Sequence, residues 1–127
     1  MITQKINLYE YFKIEKPEGA RGVLTTYIRD LSSEIDLERK APAMLVIPGG
    51  GYYMVSDREG EPVAMRYLAL GFNAFVLDYS VAEDSALKYP YQIAEAAMAM
   101  EYLRINAENL NIDPEKIAAV GFSAGGH

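Results

Sequence analysis

A single serine stands between two glycines near the C-terminal end of this 127-residue chain. Gly121, Ser123 and Gly125 form the pattern Gly-x-Ser-x-Gly, directly after the apolar run from Ile117 to Val120. In that pattern a tight turn presents the serine hydroxyl, and the small residues let neighbouring backbone approach. A serine hydroxyl is a weak nucleophile until a base takes its proton. The pattern therefore predicts Ser123 as a nucleophile, with a helix-capping serine as the alternative.

Three consecutive glycines follow a second apolar run and could stabilise negative charge. Attack on an ester carbonyl builds charge on its oxygen, and each preorganised backbone N–H group stabilises that charge by about 3 kcal/mol. We expect the N–H groups of Gly50 and Gly51, together with that of Ala124, to form such an oxyanion hole. A plain turn is the alternative. A phosphate-binding loop is disfavoured because its Gly-Lys-Ser/Thr ending is absent.

Two tyrosines and a charged pair come after the glycines. Tyr52 and Tyr53 could line a pocket for the acyl or alcohol part of a substrate, or they could be packing residues. Arg58 and Glu59 could brace the glycine loop, contact the substrate or begin the next helix. The sequence leaves these alternatives open.

The only histidine of the chain is a poor candidate for the base. His127 lies four residues after Ser123, in the first turn of the helix expected there. Because the tight turn exposes the serine, we expect the His127 side chain to point away from Ser123. Asp78 lies at a strand end and Asp113 in a turn, where structural roles are more common. We therefore expect none of the three to complete a catalytic group with Ser123.

Composition and charge argue against several classes of partner and site. The net charge of −6 argues against nucleic acid or an anionic membrane surface as a partner. With no cysteine and one histidine, disulfides are excluded and we expect no metal site. No apolar stretch reaches the length of a membrane span, and the N-terminal residues lack the apolar core of a signal peptide. We expect a cytoplasmic protein that needs no cofactor.

Apolar periodicity predicts an α/β protein of about five strands. Two early strands precede a β-α-β-α-β succession, whose later strands should be parallel and joined by right-handed crossovers. A continuous apolar run such as residues 43–47 is typical of a strand covered on both faces. We expect strands at 5–14, 22–29, 43–47, 73–79 and 117–120, helices at 58–70 (stopped by Gly71) and 91–110, a surface connection at 30–42, a loop at 80–89 and a turn at 111–116.

Taken in order, these motifs resemble the N-terminal half of an α/β-hydrolase. The similar branch comprises esterases and lipases, and includes acetyl-xylan esterase-like and hormone-sensitive-lipase-like enzymes. The most specific stretch is residues 111–127, which contains the serine turn. The glycine loop is similar to the family's His-Gly-Gly-Gly loop, with Pro48 in the position of the histidine. The remaining similar stretches are residues 56–62, 89–93 and 102–104.

The resemblance implies one partial α/β-hydrolase domain over residues 1–127, truncated at the serine turn. It also implies a serine carboxylic-ester hydrolase for acetyl or short-acyl esters, with an acyl-enzyme on Ser123. The substrate would be a small-molecule ester, and an acetylated carbohydrate is one option. In the family the acid and the histidine come later in the chain than the serine. The 127 residues alone are therefore expected to be inactive.

Two other readings of the sequence stay open. A peptidase or thioesterase could use the same fold, because fold and serine turn do not choose the leaving group. Alternatively, a non-catalytic fragment could act in assembly through its exposed strand edge. The strand from Ile117 to Val120 would present unpaired N–H and C=O groups, which recruit other strands. We therefore expect that the chain is not a stable monomer: it could form a homodimer paired through that edge, or it could be part of a longer polypeptide.

Overall fold

The computed structural model describes residues 1–82 and 89–127 and shows an α/β arrangement. Five strands of the described residues form one sheet, flanked by helices. Part of the predicted loop, residues 83–88, lies outside the described residues. The elements are β1 (Lys5–Asn7), α1 (Leu8–Phe12), β2 (Val23–Tyr27), β3 (Ala41–Ile47), α2 (Glu61–Ala69), β4 (Asn73–Asp78), α3 (Tyr91–Ile105) and β5 (Ile112–Gly121), with 3-10 turns at Asp57–Glu59 and Ser123–Gly126.

The sheet has the strand order β1-β2-β4-β3-β5. β2 runs antiparallel to both of its neighbours, whereas β3 is parallel to β4 and to β5. Leu45 of β3 pairs with Phe75 on one side and with Ala119 on the other. This confirms the predicted parallel strands. Because the carboxyl ends of parallel strands meet at one edge of the sheet, the segments that follow β3 and β5 lie side by side.

The two longer helices cover opposite faces of the sheet. Alternate residues of a strand point to opposite faces. Phe75 belongs to the buried cluster that contains Leu103 of α3. Its neighbour Ala74 belongs to the cluster that contains Ala64 and Leu68 of α2. This cover on both sides explains why β3 is a continuous apolar run in the sequence.

The helix predicted at 58–70 is confirmed with a shorter first part. A 3-10 turn occupies Asp57–Glu59, and α2 itself begins at Glu61. Leu68 is buried, whereas Leu70, which follows the last helical residue, is 61% exposed. Gly71 follows with a φ of +97°, a conformation that suits glycine at the end of a helix.

The strand predicted over residues 5–14 is wrong after Asn7. The Asn7 side chain accepts a hydrogen bond from the N–H of Glu10 at 3.2 Å, and this cap starts the short helix α1. Leu8 and Phe12 alternate like strand residues, but they also lie four positions apart, on one side of a helix. Leu8 and Phe12 both pack into the main core cluster, which the helix allows.

The last crossover also differs from the prediction. Helix α3 ends at Ile105 rather than near residue 110. Strand β5 begins at Ile112, within the stretch 111–116 that was predicted as a turn. Ile112 pairs with Ala41 and Ile117 pairs with Ala43, so a bulge takes up the residues between. Residues that were predicted as a turn are therefore part of the strand, where they form its bulge.

None of the helices in the described residues has both the length and the apolar character needed to cross a membrane.

Strand β5 forms one edge of the sheet, as expected for the run from Ile117 to Val120. Among the described residues, no strand pairs with its outer side. Ala118 and Ala119 are both exposed, although successive residues of a strand point to opposite faces. The other edge is formed by β1, which has only three residues.

Candidate functional site

The turn after β5 holds Ser123 in a strained backbone conformation. Phe122 is extended, with φ −119° and ψ 128°. Ser123 follows with a φ of +51°. Left-handed backbone at a residue other than glycine costs about 1–3 kcal/mol and clusters at functional sites. The Ser123 side chain is exposed to solvent. The tight turn is as predicted, while the role of its serine stays a prediction.

Gly121 and Gly125 are required by backbone packing within this turn. A Cβ atom at Gly121 would lie 2.2 Å from the carbonyl oxygen of Gly125. A Cβ atom at Gly125 would lie 2.0 Å from the carbonyl oxygen of Ile47. The N–H of Phe122 donates to the same Ile47 oxygen at 3.1 Å, which fixes the turn to the end of β3. The Gly-x-Ser-x-Gly spacing thus follows from backbone lying directly on backbone.

The glycine loop after β3 is a compact turn built on unusual backbone angles. Gly50 has a φ of +140° and Gly51 a φ of +66°. A Cβ atom at Gly50 would lie 2.0 Å from the carbonyl oxygen of Met54. The Gly50 oxygen accepts hydrogen bonds from the N–H groups of Tyr53 and Met54 at 3.1 and 3.2 Å. These contacts close the loop and leave Gly51 exposed.

The structure brings the glycine loop and the serine turn together through Gly49. A Cβ atom at Gly49 would lie 2.6 Å from the Phe122 carbonyl oxygen and 3.1 Å from the Ser123 Cβ. Close approach of the two segments therefore requires glycine at this position.

The three N–H groups predicted to form an oxyanion hole are available as donors. Within the described residues, those of Gly50, Gly51 and Ala124 donate no hydrogen bond to another residue. The loop and the serine turn thus combine an exposed hydroxyl with unused backbone donors. Such donors can stabilise negative charge on an oxygen.

The peptide between Pro48 and Gly49 is hydrogen-bonded at both of its polar groups. The Gly49 N–H donates to the Glu59 carboxylate at 2.7 Å. The hydroxyl of Tyr79 donates to the Pro48 carbonyl oxygen at 2.5 Å. Bracing of the loop was one of the options given by the sequence for Glu59, and this hydrogen bond supports it.

Tyr79 was missed by the sequence analysis. It comes directly after β4, next to β3 in the sheet, and a polar side chain at that strand end is the signal that could have identified it. Burial, with a smaller contribution from nearby ionisable side chains, raises the pKa of Tyr79 to about 12. The hydroxyl therefore stays protonated at neutral pH and remains a donor.

Tyr52 and Tyr53 line an open cavity of about 410 Å³ beside Gly51. His127 lies on its rim, and its Nδ1 is 2.7 Å from the Tyr52 hydroxyl oxygen. The two rings meet edge to face with centroids 6.0 Å apart. Tyr53 is 64% exposed, so it is not a core residue. The tyrosines thus lie at a cavity, which is one of the two alternatives left by the sequence, and a role in substrate binding stays a prediction.

Asp78 and Asp113 have structural contacts, in line with expectation. The Asp78 carboxylate pairs with the guanidinium of Arg21 at 3.0 Å. Asp113 accepts a hydrogen bond from the N–H of Glu115 at 2.9 Å, within the bulge of β5. In residues 1–82 and 89–127, no group of three or more His, Cys, Asp or Glu side chains is placed to hold a metal ion.

The chain matches a known protein family over most of its length. The profile of the family named BD-FAE covers residues 30–127. A curated relative, endo-1,4-beta-xylanase B from Butyrivibrio fibrisolvens, is 43% identical over 91 residues. That match takes in 69% of this chain and 14% of the xylanase.

Solved structures with the same fold are similar over all or most of the chain. The α/β hydrolase MGS-M1, from a Medee basin deep-sea metagenome library, is 47% identical with a TM-score of 0.86, over 100% of this chain and 48% of that one. An acetyl ester-xyloside bifunctional hydrolase from Caldicellulosiruptor lactoaceticus is 39% identical with a TM-score of 0.74, over 83% of this chain and 35% of that one. The chain thus spans about half the length of the first and less of the others.

Proposed function

The chain belongs to the BD-FAE family and corresponds to the N-terminal half of an α/β-hydrolase, and we propose that it is a serine carboxylic-ester hydrolase whose nucleophile is Ser123. The observation that carries the proposal is the contact of Gly49 with the Phe122–Ser123 peptide. This contact supports the proposal because it brings the glycine loop next to the serine turn.

The proposed reaction uses an acyl-enzyme. The Ser123 oxygen attacks the ester carbonyl while a base takes its proton. The resulting oxyanion accepts hydrogen bonds from the N–H groups of Gly50, Gly51 and Ala124, which contribute about 3 kcal/mol each. The alcohol then leaves with a proton, and water hydrolyses the acyl group from Ser123. No cofactor takes part in these steps.

We propose that the base and the acid of this reaction come from residues outside the part of the chain that the structure describes. His127, the single histidine in the sequence, interacts with Tyr52. We therefore propose that the 127 residues alone hydrolyse esters poorly, with a residual rate of about 10³-fold over water from the oxyanion donors.

The substrate is proposed to be an acetyl or short-acyl ester, with an acetylated carbohydrate as the leading option. Tyr52 and Tyr53 beside the glycine loop give an aromatic, partly polar wall that suits a sugar ring. The names of an acetyl ester-xyloside hydrolase and a xylanase among the relatives support the same option. A peptidase or thioesterase activity would appear instead as faster turnover of amides or thioesters.

Covalent labelling tests the role of Ser123 directly. In a longer protein that supplies the proposed acid and base, a fluorophosphonate should attach to Ser123, and p-nitrophenyl acetate should be hydrolysed. Ser123→Ala should abolish both, whereas Ser33→Ala, at an exposed serine far along the chain, should change neither. Labelling that persists at wild-type rate in Ser123→Ala would exclude the proposed nucleophile.

Assembly through the edge of β5 is a second candidate role. It is favoured by the ten-residue length of that edge strand and by the exposure of both of its faces. It predicts association between copies of the chain without turnover of any ester.

A further inference from the structure

The glycine loop begins with a peptide unit whose two polar groups are both held by side chains from other elements. The Gly49 N–H donates to Glu59 at 2.7 Å, and the Pro48 C=O accepts from the Tyr79 hydroxyl at 2.5 Å. The N–H and C=O of a planar peptide point in opposite directions. Partners on both sides therefore fix the rotation of the Pro48–Gly49 plane.

The next peptide unit is held on one side only. The carbonyl oxygen of Gly49 accepts a hydrogen bond from the N–H of Ser56 at 2.9 Å. The N–H of the same peptide belongs to Gly50 and points the other way. It donates to none of the described residues. The anchored plane thus sets the direction of a free donor.

The two residues that hold the first peptide are themselves held by the fold. Tyr79 is 2% exposed and follows β4 in the sheet. Glu59 lies in the 3-10 turn before α2, where its N–H donates to the carbonyl of the buried Ser56 at 3.1 Å. Anchors of this kind matter here because three successive glycines have more backbone freedom than any other run. Pro48 adds no polar side chain of its own.

We propose that Glu59 and Tyr79 are positioning residues, which act together through the Pro48–Gly49 peptide to orient the glycine loop towards the oxyanion. This inference rests on the proposed function, because it assumes that Gly50 and Gly51 serve as donors in ester hydrolysis. Neither side chain touches the substrate. The carboxylate gives a charge-assisted hydrogen bond, which is stronger than one between neutral groups.

Kinetics of the same longer protein, with the proposed acid and base present, test the positioning role. Glu59→Ala and Tyr79→Phe should each lower kcat about tenfold with little change in KM, as expected for loss of one such hydrogen bond. The double variant should lose less than the product of the two, because both side chains hold one peptide. Asp57→Ala, at an exposed acidic neighbour in the same 3-10 turn, should leave kcat unchanged.

Backbone NMR separates this proposal from the identity of the nucleophile. The amide proton of Gly49 should shift upfield in Glu59→Ala, and the amides of Gly50 and Gly51 should shift in both single variants. Unchanged glycine amides, or unchanged kcat with shifted amides, would overturn the positioning role even if Ser123 is labelled. Full activity in Ser123→Ala would instead overturn the proposed function, and with it the catalytic meaning of the anchor. A circular dichroism melt of each variant identifies any loss of kcat that is due to unfolding.

Discussion

At the scale of single residues, the site is defined by positions where no side chain can be accommodated. Gly49, Gly121 and Gly125 each face backbone carbonyl oxygens at distances that no Cβ atom tolerates. Gly51 differs, because nothing lies within 4 Å of a Cβ placed there. Three glycines thus bring segments together, while Gly51 lies on an open surface of the loop.

The packing of the serine turn predicts a large difference between two adjacent glycines. Gly125→Ala should destabilise the protein by about 3 kcal/mol, because its Cβ would lie 2.0 Å from the Ile47 oxygen at the end of β3, which cannot move aside. Gly126→Ala should cost about 1 kcal/mol or less, since its nearest neighbour would be 3.3 Å away. Urea denaturation of both variants measures the difference, and equal losses would contradict this account of the turn.

At the scale of elements, a buried carboxylate joins three parts of the chain. Glu95 of α3 is fully buried and accepts hydrogen bonds from the Tyr9 hydroxyl of α1 at 2.6 Å and from the N–H of Ser80 at 2.6 Å. The Ser80 hydroxyl adds a third bond at 2.5 Å. Ser80 follows Tyr79 in the chain, so this network also supports the anchor of the glycine loop.

Removal of that carboxylate should be costly. Glu95→Ala leaves three buried donors without an acceptor, so we expect a loss of about 3 kcal/mol or more in the free energy of unfolding. Glu101→Ala is the matched control on the same helix. Glu101 is half exposed, its contact with Arg104 is 4.0 Å long, and the expected change is about 0.5 kcal/mol or less. Thermal or chemical unfolding that gives similar values for both variants would contradict the structural role of Glu95.

The sequence was most informative where local pattern and tertiary environment agree. The apolar runs of β3 and β4 predicted buried parallel strands because both faces of those strands are covered. It failed for α1, where alternation fits a strand and a short helix equally well and where the Asn7 side chain caps a helix. The turn at Ser123 and the loop of three glycines were predicted from residue spacing, while their catalytic roles stay predictions. The contacts of Tyr79 and Glu95 were not predicted, because their partners lie far away in the sequence and only the fold brings them together.

At the scale of the whole molecule, buried tyrosines make stability depend on alkaline pH. Burial raises the pKa of Tyr79 to about 12, and burial together with the hydrogen bond to Glu95 raises the pKa of Tyr9. Above pH 10 these hydroxyls ionise in the unfolded chain before they do in the folded one. The folded state then binds more protons, so its stability must fall as the pH rises.

The tyrosine effect can be measured as a slope. The free energy of unfolding should be flat near neutral pH with respect to these groups. Between pH 10 and 12 it should fall by at most about 1.4 kcal/mol per pH unit for each buried tyrosine. Tyr79→Phe should make the slope shallower, whereas Tyr53→Phe, at a largely exposed ring, should leave it unchanged. The same slope in wild type and Tyr79→Phe would contradict a raised pKa for that hydroxyl.

The two edges of the sheet make opposite contributions to association of the whole molecule. The β1 edge is three residues long and begins with Lys5, a charge that discourages pairing with another strand. The β5 edge has ten residues, and its C-terminal part, from Ile117 to Val120, is uncharged. Unpaired N–H and C=O groups along such a strand form a template for a second strand. Two copies can satisfy these groups at once if their β5 edges pair antiparallel about a two-fold axis.

Sedimentation of the 127-residue chain at increasing concentration tests this edge. We expect a dimer at micromolar concentration, and we expect Ala119→Lys to shift it towards monomer, because two copies of the strand would then bring like charges together. A control variant should add the same charge at a place away from β5. Thr25→Lys is unsuitable because Thr25 lies on the interior strand β2, whose backbone is already paired on both sides. Gln4→Lys, next to the β1 edge, adds the same charge without touching β5 and should leave the dimer intact. A wild-type chain that sediments as a folded monomer throughout would show that the exposed β5 edge alone does not drive association.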